Sequence, residues 1–158
     1  MTSRGKQYEA CVKDNWRRTF PTGFLYRVHD QMTGYKTTSS NVSDFIGYVE
    51  GNLFLIECKS HQGNTFPFAN LTQYNMLMSY YGLPGVRIGV FLWMIDHGVE
   101  LYLPVATVKQ MKEDGLKSFN VKYIGNSNYR FFVFPSNKKR VFLDSDYSLL
   151  TTELQDGD

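Results

Sequence analysis

A chain of 158 residues, 42% apolar and 20% charged, has the length and composition of a single globular domain with a full core, not of a disordered or disulfide-stapled protein. A formal charge of +2 does not make the whole molecule a polycation. Bases do cluster at Arg17-Arg18 and Lys138-Lys139-Arg140, which suits a polyanion partner and equally a solvated charged surface.

Residues 3–19 predict an amphipathic helix, with Thr2 or Ser3 as its cap. Tyr8, Val12, Trp16 and Phe20 recur every fourth position, with Cys11 alongside. Glu9, Lys13 and Arg17 form a second series on the adjoining face, near Lys6 and Arg18. A carboxylate set among bases is either part of an ion-pair ladder or a metal ligand beside a phosphate-binding face. Pro21-Thr22-Gly23 breaks the helix, and residues 24–28 alternate as a first strand. Residues 29–43 are polar and rich in turn formers, and predict a loop or a short protruding hairpin. Lys36, Thr38, Ser39 and Ser40 in this segment are of the types that grip phosphates, although an ordinary hydrophilic connection fits as well.

Residues 44–59, Asp-Phe-Ile-Gly-Tyr-Val-Glu-Gly-Asn-Leu-Phe-Leu-Ile-Glu-Cys-Lys, read as two apolar strands joined around Glu50-Gly51-Asn52. Alternation sets Glu57 and Lys59 on one face and turns Cys58 inward. A two-residue turn at Gly51-Asn52 predicts Asp44 opposite Lys59, so that two carboxylates and an ammonium converge at one end of the hairpin. A three-residue turn would put Asp44 on the other face.

A loop over 60–70 leads to a predicted second helix over 71–81, ended by Gly82. Residues 86–95 are a near-continuous apolar run and predict a buried strand; 96–98 turn it and 99–103 return. A short helix over 105–114 follows. Two apolar pieces, 128–134 and 140–143, flank Pro135-Ser136-Asn137. The order predicts one α/β domain over 1–150 with a mixed central sheet flanked by helices, followed by an acidic tail at 151–158 that is expected to fray. No apolar run approaches the ~18 residues of a membrane span. The polar start is unlike a signal peptide, and Cys11 and Cys58 have apolar neighbours, so a cytoplasmic protein is expected.

An Asp and a Glu on neighbouring strands with a Lys two residues on suit metal-assisted phosphodiester hydrolysis. Mg²⁺ takes one or two carboxylates plus substrate oxygens and water, and a nearby Lys supplies a point charge. A surface salt bridge at a strand end is the competing reading. Glu57-Cys58-Lys59 is, however, the one acid-x-Lys in the chain, and it ends an apolar strand where charge is least expected. His29, His61 and His97 lack zinc-like spacing with the cysteines, and there is no Gly-rich phosphate loop and no Gly-x-Ser-x-Gly.

The combination resembles the PD-(D/E)xK nuclease superfamily, and within it the RecU-type Holliday junction resolvases. Gly5-Lys6-Gln7-Tyr8-Glu9 is similar to that family's Gly-Lys-x-aromatic-Glu helix. Residues 39–47, Ser-Ser-Asn-Val-Ser-Asp-Phe-Ile-Gly, are similar to its hydroxyl-rich run ending in a metal-binding Asp. Residues 65–71 followed by Gln73 are similar to its Ser-Phe-Pro segment and Gln-bearing helix. The resemblance covers about residues 3–103. It implies a restriction-endonuclease-like core, Mg²⁺ (or Mn²⁺) as cofactor, branched DNA as partner and a homodimer. Asp44 and Glu57 would be metal ligands with Glu9 in support, and Lys59 would stabilise the transition state or position water. Gln73 would orient the site or touch DNA, and Lys6, Lys13 and Arg17 would contact phosphates. The compact chain suits a bacteriophage version. The family's long stalk between its first two strands is replaced by the short segment before Asp44. Other DNA substrates for the same fold, and a non-catalytic DNA-binding module, therefore stand beside junction resolution.

Overall fold

The computed structural model describes residues 3–29 and 43–158, with the backbone of two short strands between them. The helix α1 (Arg4–Thr19) is capped by Ser3, whose side chain accepts the N–H of Lys6 at 3.3 Å. The strand β1 (Phe24–Arg27) is followed by β2 (Met32–Thr33) and β3 (Lys36–Thr37), which pair with each other in an antiparallel ladder. Then come β4 (Phe45–Val49), β5 (Asn52–His61), β6 (Thr65–Pro67), α2 (Tyr74–Met78), β7 (Val86–Met94), β8 (Val99–Pro104) and α3 (Val105–Glu113). The chain continues through β9 (Ser118–Asn120), β10 (Phe132–Val133), β11 (Ser136–Lys139), β12 (Phe142–Ser145) and α4 (Leu149–Thr152).

Six strands form the central sheet in the order β1-β4-β5-β7-β8-β10. The β5–β7 pair is parallel and its other pairings are antiparallel, so the sheet is mixed. A parallel pair needs a crossover, here supplied by β6 and α2. Alternation along β5 divides the core in two. Phe54 and Ile56 pack with Tyr8, Val12 and Trp16 of α1, while Leu55 joins Leu77, Val108 and Met111 from α2 and α3 on the opposite face.

Two glycines allow close approach to the sheet. A Cβ on Gly47 would lie 3.1 Å from the Trp16 ring, and one on Gly89 would lie 2.5 Å from the Tyr102 ring. Tyr102 is fully buried and its hydroxyl donates to the Asp158 carbonyl at 3.0 Å, so the ring has nowhere to move. Gly89→Ala is expected to cost about 1–3 kcal/mol through overpacking. Urea unfolding checks this, and an unchanged midpoint would refute the close approach.

The buried Glu100 of β8 links distant parts of the chain. Tyr8 and Tyr147 donate to its Oε2 at 2.6 and 2.8 Å. Burial pushes its pKa up, and the hydrogen bonds from surrounding hydroxyls oppose that rise.

Several elements depart from their sequence-based bounds. The central turn uses Glu50 and Gly51, with φ of 50° and 82°, so Val49 faces Asn52 and Phe45 faces Ile56. Asn52 is held as a strand residue, its side chain donating to the Glu50 carbonyl at 3.2 Å and accepting from Arg87 at 3.1 Å. Asp44 consequently falls opposite Glu57, one step beyond the ladder, and not opposite Lys59. Moving a turn by one residue shifts the register by two, which preserves every side chain's face. The second helix is shorter than predicted: Phe68–Asn70 is a 3₁₀ turn, and Leu71 donates its N–H back to Phe68 before α2 begins. The β6–β9 pairing joins two segments that sequence periodicity leaves as loops.

The tail expected to fray is docked. The Arg130 guanidinium holds the Asp158 carboxylate by hydrogen bonds of 2.7 Å to each oxygen, and Arg87 donates to the Gln155 carbonyl. A carboxylate fixed by a fork of donors is a strong local anchor, which a count of acidic residues does not show.

Candidate active site

The central hairpin and β1 together position Asp44. Val28 donates its N–H to the Asp44 carbonyl at 2.9 Å, and Ser43, buried beside it, donates to the Phe45 carbonyl at 2.8 Å. The Asp44 side chain then turns toward β5, where Oδ2 accepts the N–H of Cys58 at 2.8 Å.

Glu57 lies on the same sheet face as Asp44 and is only 2% exposed. Its Oε1 is buried with no hydrogen-bond partner among the described residues. Burial first, and the Asp44 charge second, push its pKa from 4.5 up to about 8, against the opposing pull of Lys59. Lys59 shares the Glu57 face, two residues along β5. Asp44, Glu57 and Lys59 therefore share one face of the hairpin, through a register shifted from the expected one. Cys58 turns toward the α1 face, and burial raises its thiol well above the ordinary value, so it does not supply a nucleophile.

Glu9 reaches this region by a different route. Arg27 Nε donates to Glu9 Oε2 at 2.8 Å. The same guanidinium donates to the Asp44 carbonyl at 3.1 Å and lies 4.0 Å from Asp44 Oδ1. Glu9 is thus tied to Asp44 through Arg27. Sequence reasoning missed Arg27, yet a signal was present. In β1 it lies two residues beyond Leu25 and shares its face, so a charge points toward the helix-covered side, where it needs a partner.

Lys6, Lys13 and Arg17 are exposed on α1, and none has an ion-pair partner among the described residues. Arg18 and Lys139 differ, since both pair with Asp144, at 3.2 and 3.0 Å. Part of the predicted basic clusters is thereby used within the fold. Gln73 sits at the N-cap position of α2, where its carbonyl accepts the Leu77 N–H at 2.9 Å; its side chain makes no capping bond. Lys36 contributes backbone to β3, while its side chain and Thr38, Ser39 and Ser40 lie outside the described residues.

Among the described residues no three His, Cys, Asp or Glu side chains gather as a complete metal cage. The donor set is the Asp44–Glu57 pair. Two carboxylates meet the protein's usual share of a Mg²⁺ shell, with water and substrate oxygens completing it. The partnerless Glu57 oxygen and the resisted second charge are what a cation would relieve.

These elements define an α/β protein whose mixed sheet carries an acid pair and a lysine at one hairpin end. No protein-family model matches the chain, and no curated protein matches it.

Proposed function

We propose that the chain is a Mg²⁺-dependent DNA endonuclease with a restriction-endonuclease-like core, acting as a homodimer that resolves Holliday junctions. The observation that carries this reading is the buried Glu57 beside the half-buried Asp44, with Lys59 on the same face. A bound Mg²⁺ or Mn²⁺ would supply Lewis-acid activation of water and neutralise phosphate charge. The protein's own contributions are separable. Cys58 N–H and Arg27 fix Asp44 on the sheet face it shares with Glu57. Lys59 offers a positive charge to the phosphate as charge builds on it. Glu9 acts through Arg27, as a positioning residue for Asp44. Gln73, at the start of α2, is assigned to orienting the site or meeting DNA. Lys6, Lys13 and Arg17, with Lys36, Thr38, Ser39 and Ser40, are assigned to phosphates, giving register on DNA without reading sequence.

The short segment between β1 and β4 favours keeping a second reading, a nuclease of the same fold acting on other DNA shapes. Incubation of purified protein with a four-way junction, a flap, linear duplex and single strand, each with Mg²⁺ or chelator, tests both. Paired, metal-dependent cuts confined to the junction are expected. Equal cutting of linear duplex would remove junction selectivity, and tight junction binding with no cutting would leave a binding module.

A further inference from the structure

Three large aromatic side chains are left exposed on the sheet face that carries the acid pair. Phe24 is 52%, Tyr26 58% and Tyr48 44% exposed. In the β1–β4 ladder Phe24 faces Tyr48 and Tyr26 faces Ile46, so all three project to one side. That side is the one holding Asp44 and Glu57, because Ile46 faces Leu55 and Asp44 lies two residues before Ile46. The Phe24 and Tyr48 rings stack, with centroids 6.1 Å apart and planes 18° from parallel. Each two-residue step along a strand covers roughly 6.8 Å, so the row starts about one step from Asp44 and ends about two steps away.

Phe24 also lines a groove of about 120 Å³ on the outer edge of the sheet, together with Lys13, Arg17, Pro21 and Leu25. Lys13 and Arg17 have no ion-pair partner among the described residues. At Phe24 the two sides of the sheet edge meet, the cations of α1 on one side and the stacked Phe24 and Tyr48 rings on the other; charges and rings are the two components of sequence-tolerant single-strand binding, in which phosphates follow the charges and bases stack on the rings. Lys is depleted at protein interfaces, so the Lys13 wall favours a polyanion over an apolar protein surface.

From this juxtaposition we infer that the β1 edge is a binding site for a single-stranded segment of nucleic acid. The segment's bases stack on Phe24, Tyr26 and Tyr48, and its backbone passes Lys13 and Arg17. The inference rests on the proposed nuclease reading, and it adds that the substrate carries unpaired nucleotides next to the cut.

The test uses the full chain in chelator and a 12-nucleotide single strand carrying 2-aminopurine, a base whose fluorescence reports stacking. Binding with a fluorescence change is expected. Phe24→Ala and Tyr48→Ala should each weaken it about ten-fold and remove the change, while Tyr48→Phe restores both. Lys13→Ala with Arg17→Ala should lower the salt slope of binding by about 1.4, the single-strand value for two phosphate contacts. Unchanged affinity in the two alanine variants would overturn the inference. So would a shift from dimer to monomer in sedimentation with single-strand affinity retained, which would give this face to a second copy of the chain. Binding in chelator does not require cutting. The stacking result therefore stands apart from metal-dependent cleavage by the same variants, and failure of one is distinguishable from failure of the other.

Discussion

Asp44→Asn and Glu57→Gln are each expected to lower metal-dependent DNA cutting by at least about a thousand-fold, while binding to the same DNA in chelator is kept. A thousand-fold loss corresponds to about 4 kcal/mol of transition-state stabilisation, within the range expected when a charged group facing the reacting phosphate is removed. Each substitution keeps the shape of the side chain. Asn can still accept the Cys58 N–H that Asp44 Oδ2 takes at 2.8 Å, so the loss would report charge and not collapse of the hairpin. If the site faces DNA as proposed, removing a negative charge from it should leave chelator binding equal or tighter. Cutting that survives in both variants would remove the acid pair from the chemistry. Loss of cutting together with loss of chelator binding would make the pair a structural element.

The second large effect concerns stability against pH and metal. The folded pKa of Glu57 stands at about 8 against an unfolded value near 4.5, so between these values the folded state holds the extra proton. By linkage, the stabilising contribution is fully present below about pH 4.5 and is lost as pH rises through about 8. Without metal, unfolding free energy should therefore fall across this window by a few kcal/mol. Glu57→Gln should flatten the fall. Mg²⁺ at pH 8 should raise wild-type stability in proportion to its binding, and raise the Gln variant far less. Denaturant titrations at several pH values, with Mg²⁺ and with chelator, measure all of this. A wild-type profile that matches the Gln variant in chelator would refute the burial of a charge at Glu57.

Much of the site can be read from residue spacing because it lies on one hairpin. Alternation alone fixed the shared face of Glu57 and Lys59, and parity protected the face of Asp44 even though the turn was misplaced. The misplacement had a local cause: Glu50 takes a left-handed conformation that sequence preferences reserve for Gly or Asn. Asn52, the apparent turn residue, is pinned as a strand end by Arg87. The role of Arg27 was harder to see, because its partners come from α1 and from the residue before β4, far apart in sequence. The same holds for Asp158, whose anchor Arg130 lies in a segment with little regular structure. Contacts of this kind depend on tertiary placement, which neither periodicity nor composition encodes. The exposed rings of β1 and β4 follow directly from alternation once the edge position of β1 is known. From sequence alone, however, they are indistinguishable from core aromatics.

The carboxylate of Glu100 has a bearing on the order in which the molecule is completed. Its two hydroxyl partners stand 92 residues before it and 47 residues after it. At about 5–20 residues per second, roughly 2–10 s of synthesis separate Glu100 from Tyr147. During that interval α1 has been made, but the polar keystone beneath it lacks one of its two hydroxyl donors. A nascent chain would hold its aromatic stripe, Tyr8 and Trp16 included, without a finished seat. Glu9 rides on the same helix and reaches Asp44 only through Arg27, so the geometry of the acid site would mature after the sheet that carries it. A chain assembled in this order would complete the geometry of its acid pair as one of the last events of its own synthesis.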